Sequence, residues 1–151
     1  MKETIVTNCN DLIHNKYLII PVLTWFFIQL FKFLWDLIAT KKVNFKRILG
    51  AGGMPSSHTA VVVALATLIG KDFGVDTPLF AIALIFSFVV MYDAAGVRRA
   101  AGKQARLLNK IVETPGLTGI QVSEKLVEVL GHTPMQVVVG AIIGVIVGLI
   151  F

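Results

Sequence analysis

From Tyr17 to Phe31 the chain runs without one charged side chain, and only Thr24 and Gln29 in that stretch are clearly polar. Extended to Ile38, the stretch reaches 22 residues. As a helix rising about 1.5 Å per residue it measures about 33 Å, enough to cross a hydrocarbon layer of about 30 Å. A soluble domain of 151 residues is rarely 56% hydrophobic and only 15% charged, with a mean hydropathy of +0.80. These values place the chain in the membrane class, and its length suits a single domain. The expected fold is all-α: a polytopic membrane bundle of about four membrane helices, with two shorter amphipathic helices.

Residues 1–16 are polar, with two acids and two lysines, and are expected to be a surface segment. They do not read as a signal peptide, because the apolar run behind them is too long and no small-residue cleavage site closes it. The first membrane helix is expected over 17–38. Lys32 and Asp36 stand four apart near its end, spaced to pair with each other or to snorkel to the head groups. Lys41, Lys42, Lys46 and Arg47 follow as a basic connection. Such a cluster anchors a loop to the cytoplasmic surface, and one or two of its cations could also contact a phosphate.

The second membrane helix is expected over 55–73. Pro55 to Gly70 is only about 24 Å long, short for a span. Either the helix runs on through Lys71 to Phe73, or its start lies inside a protein-lined cavity. The third helix is expected over 77–92, with Thr77 and Pro78 at its start. Ala94 to Lys110 combines small residues with Arg98, Arg99, Lys103, Arg106 and Lys110, and reads as an interfacial or bundle-capping helix. A short amphipathic helix is expected from Gly119 to Leu130, stopped by Gly131. Thr133 and Pro134 open the last helix, expected over 134–151. Gly140, Gly144 and Gly148 stand four apart on it. That stripe is expected to meet another helix closely, in this chain or in a second copy as a homo-oligomer.

Cys9 is the only cysteine, so no intramolecular disulfide forms. No CxxC or HExxH pattern occurs and three dispersed histidines make a poor zinc set, so no metal and no cofactor are expected. The net charge of +5 points to topology and anionic lipid head groups rather than to nucleic acid. Residues 39–58 carry four cations and no acid; residues 93–133 carry six cations and four acids. The positive-inside rule puts both in the cytoplasm, in a multi-pass protein of the cell membrane. The second and last membrane helices then run the same way, with His58 and His132 at matching starts and Arg98 and Arg99 on the same side.

Gly52-Gly53-Met54-Pro55-Ser56-Ser57-His58 carries the strongest chemical signal. The glycines allow a tight turn. The following helix start offers free N–H groups and a positive dipole end to an anion, with an imidazole beside it. Two histidines and one or two arginines, without metal ligands, suit phosphoryl transfer through a phosphohistidine. One histidine attacks phosphorus, the other protonates the leaving oxygen, and the cations stabilise the equatorial oxygens.

Pro55-Ser56-Ser57-His58 resembles the Pro-Ser-Gly-His motif of the type 2 phosphatidic acid phosphatase and vanadium haloperoxidase superfamily. Gly52 to Ala60, Tyr92 to Arg99 and Gly131 to Pro134 resemble its divergent bacterial branch. The resemblance covers the chain from about Asn44 onward. It implies a helical membrane protein with metal-independent phosphatase chemistry. By the same resemblance His58 is the acid for the leaving group, His132 the nucleophile, and Ser56 and Ser57 hold phosphate. Lys41 or Lys42, with Arg47, stands for the basic first motif. Two positions depart from the superfamily's third motif: Leu126 replaces its Arg and Gln136 its Asp. Arg98 or Arg99 could supply the missing cation, and Asp93 or Glu128 the missing acid. The expected substrate is a lipid phosphate monoester or diphosphate, bound at the cytoplasmic face. The alternatives are a non-catalytic protein that binds anionic lipid or phosphate, and a lipid phosphotransferase. The last rests on the likeness of Asp93-Ala-Ala-Gly-Val-Arg-Arg to the Asp-Gly-Ala-Arg signature of the CDP-alcohol phosphotransferases.

Overall fold

The computed structural model describes residues 11–41, 43, 53–113, 125–128 and 131–151. Five helices follow in order: α1 (Lys16–Thr40), α2 (Ser57–Phe73), α3 (Pro78–Ala95), α4 (Val97–Glu113) and α5 (Pro134–Ile150). No strand occurs among the described residues. Four helix starts are capped by a side chain that accepts a backbone N–H: Asn15 from Tyr17, Ser56 from Thr59, Thr77 from Phe80 and Thr133 from Gln136. Each cap contributes about 1 kcal/mol. At α5 the Gln136 side chain reaches back to the Thr133 N–H, completing a capping box.

The boundaries differ from expectation where a cap decides them. α2 starts at Ser57, not Pro55, because the Ser56 hydroxyl takes the capping position. It runs on through Lys71 to Phe73, the first of the two ways out of its shortness. α3 continues three residues past Tyr92 and stops at Gly96, which separates it from α4. The expected amphipathic helix over 119–130 falls largely outside the described residues. Within it, 125–128 is not helical. Instead Asn109 of α4 holds this segment by two reciprocal bonds to the Leu126 backbone, at 2.9 and 3.0 Å.

α2 is the centre of the bundle: α1, α3 and α5 all pack on it. Its Ala60, Ala64, Ala66 and Leu68 are buried. α5 lies parallel to α2, and its glycine stripe is the contact. A methyl group added at Gly140 would stand 2.5 Å from the Ser56 carbonyl oxygen, one at Gly144 2.7 Å from that of Ala60, and one at Gly148 2.5 Å from the Thr67 side chain. The stripe therefore receives α2 of the same chain. α1 and α3 run antiparallel to α2. Ser87 of α3 reaches the Val62 carbonyl at 2.9 Å, and Tyr17 of α1 bonds Asp72 at 2.7 Å. The backbones of α1 and α3 stay apart, so a groove runs between them with α2 as its floor.

Large apolar side chains such as Phe26, Phe27, Trp35, Ile82, Ile85 and Phe88 point outward. In water such a surface would be a severe liability; against lipid it is the expected one. α1, and α3 with its continuation into α4, are long and apolar enough to cross a membrane; α5 is apolar and shorter. The chain is a helical membrane protein. One end of the bundle gathers Lys16, Tyr17, Lys71, Asp72 and Phe73, with Lys71 donating to the Leu149 carbonyl at 3.2 Å. Aromatic and long cationic side chains of this kind are typical of a membrane interface. The other end holds the starts of α2 and α5, the end of α3, and α4.

Candidate active site

Three backbone features set the two histidines at that second end. The Ser56 N–H donates to the Gln136 carbonyl at 3.1 Å, tying the start of α2 to the first turn of α5. The His132 N–H donates to the Ala94 carbonyl at 2.9 Å, tying the residue before α5 to the end of α3. Gly131 has φ +81°, and a Cβ there would meet the backbone of Arg98 and Arg99. Only glycine allows both that conformation and that approach.

His58 and His132 line one cavity of about 510 Å³ together with Asp93 and Arg98. Arg98 Nε donates to Asp93 Oδ2 at 2.6 Å, which leaves its terminal nitrogens as further donors. The charges of Arg98 and Asp93 act on His58, and that of His58 acts on His132. The rest of the lining is apolar: Val22 and Trp25 from α1, Val61 and Val62 from α2, Phe86 and Val89 from α3. The cavity is thus the head of the α1–α3 groove, polar at the histidine end and apolar along its length. Its far end is closed where Tyr17, Leu65 and Phe80 pack on the Ala66, Ile69 and Ala83 cluster.

His132 is 4% exposed. Its Nδ1 lies 3.3 Å from Gln136 Oε1. That oxygen also accepts the Thr133 N–H at 3.0 Å, so it is an acceptor here and Nδ1 carries the hydrogen. Burial holds the imidazole below its ordinary value of 6.5, helped by the charges of Lys32 and His58; the Gln136 side chain and the Gly53 backbone act the other way. At neutral pH His132 is therefore the neutral base.

The expected site residues separate into three groups. His58, His132, Asp93 and Arg98 come together, and Gln136 backs His132. Ser56 and Ser57 are 0% and 2% exposed and do not line the cavity. The Ser56 hydroxyl accepts from the Thr59 hydroxyl at 2.9 Å, and α5 covers the pair; their work is capping and packing. Arg99 turns away into a second, polar cavity behind His132. Glu128 is there too, its oxygens taken by Asn109 at 2.9 Å and Arg106 at 3.3 Å, so it does not reach His132 as a substitute acid. Lys42 and Arg47 lie outside the described residues. Among the described residues no group of three His, Cys, Asp or Glu side chains could hold a metal ion.

Sequence reasoning missed Lys32. It does not snorkel: it is 5% exposed, lines a neighbouring cavity with Asp36, Met54 and Pro55, and its charge acts on both His58 and His132. The available signal was the lone lysine inside an apolar helix, an ionisable group that is functional by default in a membrane. Asn109 was missed as well, because a polar residue in a basic helix carries no periodic signal.

Comparison with known proteins gives the family. The profile of a family described as "Divergent PAP2 family" matches residues 13–147. A Bacillus subtilis (strain 168) protein described as an uncharacterized membrane protein, YuiD, is 35% identical, with 93% of this chain and 96% of that protein aligned. No solved structure matches the chain significantly.

Proposed function

The chain belongs to the divergent PAP2 family, and on that premise we propose that it is a lipid-phosphate phosphatase working through a phosphohistidine. The observation that carries this reading is the shared cavity: two histidines from the starts of two parallel helices, beside an arginine, at the polar head of an apolar groove. An amphiphile with one phosphate head fits such a groove, its tail along Val22, Trp25, Phe86 and Val89.

The geometry supports the following steps. His132 Nε2, freed for attack because Nδ1 is bonded to Gln136, attacks phosphorus. The ester P–O bond breaks, and imidazolium His58 gives its proton to the departing alkoxide, releasing the lipid alcohol. Neutral His58 then takes a proton from water as that water attacks the phosphohistidine. The P–N bond breaks, inorganic phosphate leaves, and both histidines return to their starting states. Arg98 balances the charge on the phosphoryl oxygens, and the Lys32 charge adds to it from a neighbouring cavity. A diphosphate would react at its outer phosphorus in the same way.

Trapping tests the intermediate. Brief exposure to a lipid phosphate labelled in the phosphoryl group should leave an acid-labile, base-stable label on the wild type, and more of it on His58→Gln, where the second step is slowed. No label on either protein during active turnover would reject the phosphohistidine. A second reading is favoured by Gln136, which cannot stabilise an imidazolium as a carboxylate does: a protein that binds lipid phosphate without turning it over. It predicts binding with no phosphate release.

A further inference from the structure

Behind His132, on the side away from the groove, lies a second cavity of about 330 Å³. Its character is opposite to the first. Every residue that lines it is charged, polar or glycine, and Arg99, Lys103 and Arg106 face Glu128, Thr133 and Gln136 across it. Arg99, Lys103 and Arg106 fall on one stripe of α4, spaced four and three apart, so their like charges repel along the helix. Glu128 offsets only part of this. Its two oxygens are fixed on Arg106 at 3.3 Å and on Asn109 at 2.9 Å, and Asn109 is itself buried and clamped on the Leu126 backbone. The carboxylate therefore cannot swing to Lys103. Among the described residues neither Arg99 nor Lys103 has an ion-pair partner. Three cations against one pinned carboxylate leave a net charge of +2 around a cavity lined by no aliphatic residue and no Phe, Tyr or Trp.

We propose that this cavity is a second anion subsite, taking inorganic phosphate or the phosphate of a small soluble ester, on the aqueous side of His132. His132 and Gly131 line both cavities, so the imidazole stands between the groove and this chamber. A lipid cannot use the chamber, since nothing in it receives a tail. A freed phosphate can, held by Arg99 and Lys103. Its role as the receiving place for product rests on the phosphatase reading; its affinity for phosphate does not.

The test is equilibrium binding to the full chain in detergent, with inorganic phosphate and a short-chain lipid phosphate as separate probes. The variants are Lys103→Gln, Lys103→Arg and Arg98→Gln. Lys103 is exposed, so its replacement leaves the fold intact, and the lipid probe reports this independently. Lys103→Gln should weaken inorganic phosphate about tenfold, the loss of one charge-assisted contact, and leave the lipid probe unchanged. Lys103→Arg should restore phosphate binding. Arg98→Gln should weaken the lipid probe and leave a phosphate site that still depends on Lys103. Phosphate affinity that is insensitive to Lys103→Gln in both the wild type and the Arg98→Gln background would overturn the subsite. So would a cavity that binds anionic-lipid vesicles through Lys103 but no free phosphate. A protein that binds phosphate this way yet hydrolyses nothing would keep the subsite and reject the phosphatase.

Discussion

The behaviour of His132 depends on the residue behind it. Gln136 fixes the tautomer, but as a neutral amide it adds little to the basicity of the ring. Because burial lowers the pKa of His132 and the neutral ring is the nucleophile, the acid limb of activity should lie below about 6.5, while loss of the His58 proton sets the alkaline limb. Gln136→Glu places a carboxylate at the same point and stabilises the imidazolium. The acid limb of the kcat/KM profile should move up by about 1 unit, and the plateau should rise several-fold. An unchanged profile would show that Gln136 is not the group that governs His132. Asp93 and Glu128 do not already fill this role, since each is engaged by a cation of α4. Lys32→Met should keep the fold, being apolar and of similar length, while cutting kcat/KM at least tenfold through lost charge stabilisation. Kinetics equal to wild type would remove Lys32 from the site. The histidines and Arg98 could be read from the sequence because motif spacing and charge sidedness both point to them. For Lys32 the sequence offered only its place inside an apolar helix, because the histidines its charge acts on sit on helices far away in the chain. The serines misled because a hydroxyl suited to hold phosphate is equally suited to cap a helix, and Ser56 caps α2.

At the scale of elements, the apolar runs, caps and prolines gave the helices to within a few residues, since each boundary is decided locally. The sequence also placed α2 and α5 parallel, because loop charge fixes direction. What it left open is which helix covers which: small residues show that a face is approached closely, not by what. The glycine stripe of α5 meets α2, and this is testable. Gly144→Leu would drive a side chain into the Ala60 carbonyl at 2.7 Å and Val63 Cβ at 2.8 Å. Overpacking of this kind costs about 1–3 kcal/mol, and here it would also separate the two helices that carry the histidines. Thermal unfolding in detergent should drop by several degrees, with activity falling at permissive temperature too. A variant with wild-type melting and activity would mean that the two helices are not held by this stripe. The α1–α3 groove was equally hidden, because it arises from two helices whose backbones each approach α2 but not one another.

For the whole molecule, the arrangement turns one sequence into a surface with a direction. Both histidines, Arg98 and the basic helix α4 lie at one end; Lys16, Tyr17 and Asp72 lie at the other. On the proposed topology, in which charge bias puts the histidine end in the cytoplasm, the proposed phosphatase would act on lipid phosphates of the inner leaflet. Cys9 lies outside the described residues, but as the only thiol in the segment before α1 it reports sidedness. A membrane-impermeant maleimide should label it in intact cells; labelling only after permeabilisation would move the site to the outer leaflet. Whichever face it occupies, the central claim is that His132 takes a phosphoryl group from a lipid without a metal ion. Phosphate release from lipid phosphates by the purified protein in detergent and chelator, beside His132→Ala, tests it most directly. Wild type should release phosphate, vanadate should block it, and His132→Ala should release essentially none while melting like wild type. Equal release by the two proteins, or release that requires added magnesium, would contradict the account.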